Sequence, residues 1–85
     1  MSDAALYAVY GITSTQLNYL RFIVQYARDH RGNSPGLRET ARQFNVHPST
    51  ARGHIFELSN RRLIRVQDGK IVVEDATWDA PFFDE

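Results

Sequence analysis

The chain predicts a mainly α fold, a three-helix bundle followed by one small β-hairpin, and three observations carry this expectation. Apolar residues recur at helical spacing in three successive segments between Ser14 and Asn60. Turn formers fill the two connections between those segments. Beyond Asn60 the periodicity switches from helical to alternating, on either side of Asp68-Gly69.

The first helix opens at Thr13, whose hydroxyl can accept from the amide three residues on, with Gln16 placed to complete a capping box. Tyr19, Leu20, Ile23, Tyr26 and Ala27 then repeat at the spacing of one buried face. Arg28 and His30 suit a helix C-terminus and Gly32 supplies a stop, so the helix spans Ser14 to Asp29. Every residue of Gly32-Asn33-Ser34-Pro35-Gly36 is a turn former, and the chain reverses there. A second helix of about eight residues follows, with Gly36 as N-cap, Glu39 in its first turn, and Leu37, Ala41 and Phe44 on one face.

Asn45 tolerates the left-handed conformation that ends helices, and Pro48 has the fixed φ and missing N–H that suit a first helical position. The third helix buries Ala51, Ile55 and Leu58, which leaves Ser49, Thr50, Arg52 and Gly53 on the opposite face. Ile64 to Gln67 and Lys70 to Val73 alternate around Asp68-Gly69, the strongest short-range hairpin signal because both turn residues accept positive φ.

Length and composition narrow the function. The 85 residues make one domain, and 42% apolar with 24% charged residues is a globular balance. The absence of cysteine removes disulfides and thiolate metal sites and suits a reducing cytoplasm. The longest apolar stretch, Ala4 to Ile12, is far shorter than the roughly 20 residues of a membrane span, and Asp3 stands where a signal peptide would be basic. Net charge is zero, yet all ten basic residues lie between Arg21 and Lys70, and only four acids fall within residues 12–73. That surplus of six describes a basic body with acidic ends, or in the bland reading a solvated charged face. The expected organisation is an N-terminal arm (1–11), a domain (12–73) and an acidic, aromatic C-terminal tail (74–85).

Two short helices joined by a tight turn, the second exposing a small polar face, with a hairpin as wing, describe a winged helix-turn-helix. Ser34-Pro35-Gly36-Leu37-Arg38-Glu39-Thr40-Ala41 and Asn45-Val46-His47-Pro48-Ser49-Thr50-Ala51-Arg52 resemble the DNA-binding domain of LexA-type repressors, in order and spacing from Ile12 to about Val73. Gly36, His47 and Asn45 stand where that family usually has a Thr cap, a Ser cap and a turn Gly; of the three, His is the poor cap. Arg62 stands where the family has Gly between helix and wing, at a cost of about 1 kcal/mol if positive φ is kept. LexA repressors also carry a self-cleaving Ser–Lys domain through which they dimerise. Only a short tail is expected after the wing, so neither property carries over.

The third helix suits base reading. Arg52 offers a bidentate fork for guanine, Ser49 and Thr50 can bond to bases or phosphates, and Gly53 leaves room for close approach. First-turn polar residues and a solvated arginine are the plain alternative. Arg38, Arg42, His47, His54, Arg62, Arg65 and Lys70 are candidates for the DNA backbone, with helix-border packing as the alternative for His54. Three histidines without tight ligand spacing argue against a metal site, no cofactor is expected, and the lack of a phosphate loop or room for a cleft argues against an enzyme.

The expected function is sequence-specific binding of double-stranded DNA by a small, repressor-like transcriptional regulator. The rival reading is a winged-helix protein-interaction module. Leu6, Tyr7 and Tyr10 in front and Trp78, Phe82 and Phe83 behind have no place in the three-helix core. They form a homodimer contact or fold back over Leu17, Phe22 and Val24, which lie off the main stripe of the first helix. A cytoplasmic, nucleoid-associated homodimer, with a protein partner for the tail, completes the expectation.

Overall fold

The computed structural model describes residues 3–78, and of Asp3, Leu6 and Tyr7 the backbone alone. Its elements are α1 (Asp3–Tyr10), α2 (Ser14–Asp29), α3 (Leu37–Phe44), α4 (Pro48–Asn60), β1 (Ile64–Gln67), β2 (Lys70–Val73) and α5 (Asp75–Trp78). Three helices and a hairpin thus stand where periodicity placed them. α1 and α5 were not expected as helices. The α1 sequence, Asp-Ala-Ala-Leu-Tyr-Ala-Val-Tyr, is apolar nearly all round, so it shows no helical stripe, although alanine favours the helix.

Gly11, at φ +66°, turns the chain from α1 into α2, and a Cβ there would lie 3.2 Å from the Arg61 guanidinium. α2 then begins with the expected capping box. The Gln16 amide donates to Thr13 Oγ1 and the Thr13 amide to Gln16 Oε1, both at 3.1 Å. α2 is the central helix: Leu17, Tyr19, Leu20, Ile23, Val24 and Ala27 are all buried. Leu17 and Val24, off the main stripe, are covered as completely as the stripe itself, and both α4 and α1 pack against α2. Tyr10 and Trp78 also rest half-buried against the core, so these two of the terminal aromatics fold back on their own chain.

Tyr26, expected in the core, is only half-buried. Its ring stacks on His30 at 3.8 Å, and its hydroxyl bonds to Glu39 at the start of α3. The Glu39 carboxylate favours the neutral phenol, first through that hydrogen bond, and raises the Tyr26 pKa above its ordinary value.

β1 and β2 pair antiparallel, with Ile64 opposite Val73 and Gln67 opposite Lys70. Asp68 and Gly69 have φ of 53° and 76°, the two positive values that match a two-residue turn to the twist of its strands. By the period of two, Ile64, Val66, Ile71 and Val73 share one face; Ile64 and Val73 complete the core below α4. At the α4–β1 turn Arg62 keeps φ at +62°, so the strain of a left-handed non-glycine residue, about 1 kcal/mol, is retained. α5 closes the base of the hairpin: Thr77 Oγ1 donates to the Leu63 carbonyl at 2.6 Å, and both residues are buried. Among the described residues no helix is long and apolar enough to cross a membrane.

Candidate nucleic-acid interface

The helix-turn-helix is α3, the turn Asn45-Val46-His47, and α4. Asn45 adopts φ 54°, ψ 49°, and the Val46 amide reaches back to the Ala41 carbonyl at 3.0 Å, which closes α3 and redirects the chain. Gly36 gives α3 no side-chain cap, while Thr40 Oγ1 donates to the Gly36 carbonyl at 2.9 Å.

His47 corrects the expectation of a poor cap. Its Nδ1 accepts from the Ser49 amide at 3.1 Å and lies 2.8 Å from Ser49 Oγ. Nδ1 can accept only with its lone pair free, so the proton sits on Nε2. Ser49 therefore shares its hydroxyl with the cap, a tie that residue type alone did not reveal.

Four aromatic rings set the seat of α4. Tyr19 of α2 stacks on Phe44 of α3 at 4.0 Å and 8°, and His54 of α4 tilts against Tyr19 at 4.8 Å. Phe22 meets Phe44 edge-on at 5.7 Å. His54 is thus a half-buried packing residue at the helix border. The Tyr19 hydroxyl is buried without a hydrogen-bond partner, and desolvation raises its pKa.

With Ala51, Ile55 and Leu58 turned inward, Ser49, Thr50, Arg52 and Gly53 are exposed together on the N-terminal half of α4. Packing does not require glycine at position 53, since a Cβ there would meet nothing within 4 Å. A mid-helix glycine with open space above it costs about 1 kcal/mol relative to alanine and gains no contact in return.

Arg38, Arg42 and Lys70 are exposed. Arg65 is exposed too, but its Nε lies 3.4 Å from Glu74 Oε1, an exposed pair of small energetic weight. Arg62 stands apart. It lies two residues beyond the end of α4, and that end is itself about 17 Å along the helix axis from Ser49 at 1.5 Å per residue. The backbone of Leu6 and Tyr7 lies in α1, whereas Phe82 and Phe83 fall outside the described residues.

Periodicity missed Phe56 and Val66. Both are large, apolar and exposed, at 53% and 44%, and both line a groove between α4 and the wing. Phe56 lies one turn beyond Arg52 on the same side of α4, a spacing that counting by three and four would have flagged.

No curated protein matches the chain. The family model of the LexA DNA binding domain matches residues 10–71, a span that holds all of α2, α3, α4 and most of the hairpin. With its helix-turn-helix and most of its wing in that matched span, the chain belongs to the LexA DNA-binding domain family, a winged-helix module that binds double-stranded DNA in repressor-like regulators.

Proposed function

We propose that this domain reads DNA sequence by placing the N-terminal half of α4 in the major groove, and that it acts as a small repressor-like transcriptional regulator on nucleoid DNA in the cytoplasm. The observation that carries this reading is the exposed face of Ser49, Thr50, Arg52 and Gly53, polar, small and basic, held out by a fully buried opposite face. Arg52 supplies the guanine fork, Thr50 and Ser49 the hydroxyls, and Gly53 the clearance for the duplex. Residues 12–73 form the binding domain. Arg38, Arg42, Lys70 and the outward Nε2–H of His47 take phosphates; Arg65 joins them by exchanging Glu74 for DNA, while Arg62 and His54 contribute at the border.

Dimerisation completes the proposal, because one recognition helix reads few base pairs and two double the site. Of the terminal segments, α1 is the better surface: Ala4, Ala8 and Val9 are exposed on a helix with no polar face, and Val9 is 64% exposed. The test of both statements is a selection from random duplexes with sedimentation of the same sample. An enriched palindromic site and a dimeric mass are expected; no enrichment leaves the protein-interaction reading in place of sequence recognition, and a monomer at tens of micromolar removes the constitutive dimer.

Two substitutions check the assignment. Gly53→Ala is expected to stabilise the helix by about 1 kcal/mol while weakening binding to the selected site. Raised melting temperature with undiminished affinity would place Gly53 away from the duplex. Lys70→Ala is expected to reduce the steepness of log affinity against log salt by about 0.9 without changing the preferred sequence. An unaltered slope would mean that the wing does not touch DNA.

A further inference from the structure

The groove between α4 and the wing has a volume of about 200 Å³ and is lined by Leu37, Ile55, Phe56, Val66 and Ile71, with Arg52 beside them. A cavity of roughly 150 Å³ accommodates benzene, so this groove has room for a phenyl ring. Its walls are apolar and two of them stand in water. Its charged border is basic: Arg52 is one of its lining residues and Arg38 follows Leu37, both exposed, whereas Lys70 lies on the opposite face of the hairpin. An occupant that fits is therefore aromatic and acidic.

The chain carries such a segment. Residues 79–85 read Asp-Ala-Pro-Phe-Phe-Asp-Glu, two phenylalanines between carboxylates. We propose that the groove between α4 and the wing is the docking site of this segment of the same chain, with Phe82 or Phe83 in the groove and the acids beside Arg38 and Arg52.

The reach is adequate. The Thr77 hydroxyl bond to Leu63 holds the start of the segment at the base of the hairpin, where Ile64 pairs with Val73. The groove lies at the Val66–Ile71 pair, two residues along the strands and about 7 Å away at 3.4 Å per residue. Phe82 is four residues past Trp78, a span of up to about 13 Å. Docking would cover Arg52 and the inner side of the wing, so it competes with DNA. This consequence rests on the DNA-reading proposal above; the docking itself does not.

The experiment uses the full chain and reads methyl resonances without DNA. In Phe82→Ser/Phe83→Ser the methyls of Leu37, Ile55, Val66 and Ile71 are expected to shift while that of Val9 stays. Asp84→Lys/Glu85→Lys, which reverses the charge of the segment without touching the groove, is expected to move the Leu37 and Ile71 methyls likewise. No shift in either variant overturns the docking, and a shift that grows with protein concentration overturns it in favour of a second copy. A docked fraction of nine-tenths lowers apparent DNA affinity about tenfold, so the double serine variant is expected to bind the selected duplex about ten times more tightly. Equal affinity with the methyl shifts present would overturn the competition alone, and would point to α4 not being the DNA-reading surface.

Discussion

Leu58→Ala is expected to lower the stability of the domain by about 2–5 kcal/mol, the cost of deleting a leucine side chain from a core that closes only partly around the gap. Leu58 is fully buried on the inner face of α4, in the same apolar cluster as Leu20 and Ile23 of α2 and Ile64 of the hairpin. The whole stability of a domain this size is on the order of 4–13 kcal/mol, so one such cavity removes a large part of it. The loss falls on the helix proposed to read DNA, and binding should weaken as the folded fraction drops. A denaturant titration with unchanged slope and a lower midpoint is the expected result. Glu57→Ala, one residue away and exposed, serves as the comparison, with a change within about 0.5 kcal/mol. Equal midpoints for the two variants would mean that α4 is not seated through Leu58.

Arg52→Ala carries the largest expected effect on recognition, about 1–3 kcal/mol at the best site, or roughly 5- to 150-fold in affinity. Arg52 is exposed at the fifth residue of α4, one turn from the His47 cap, at the end of the helix that the proposed DNA docking places in the major groove. The loss should be confined to one base position, because a guanidinium reads O6 and N7 of a single guanine. Arg52→Lys is expected to recover the charge and not the two-pronged geometry, so binding returns in part and preference at that position stays relaxed. The melting temperature should hold, since the side chain contributes no core area. Full affinity in Arg52→Ala would take the residue out of base reading.

The parts of this fold legible in the sequence are those whose cause is local. Thr13 and Gln16 cap each other within one turn, Asn45 tolerates a left-handed φ through its own short side chain, and Asp68-Gly69 prescribes a hairpin from two residues. The exposure of the face of α4 proposed to read DNA was legible for the same reason: three inward residues at helical spacing leave the others outside.

The rest depends on what packs against what. Residues 3–10 hide their helix because an all-apolar segment has no period, and only the neighbouring α2 gives it a surface to lie on. His47 caps α4 although imidazole is a poor cap by type, because its ring is oriented to present a free lone pair to the Ser49 amide. Tyr26 has the spacing of a core residue yet is held at the surface by His30 and Glu39. Arg62 shows a strained φ, since the turn into the wing is set by the helix and hairpin it joins rather than by its own preference. The groove of Phe56 and Val66 needs an α4 face and a wing face brought together across ten residues, and periodicity along one chain segment carries no term for that distance.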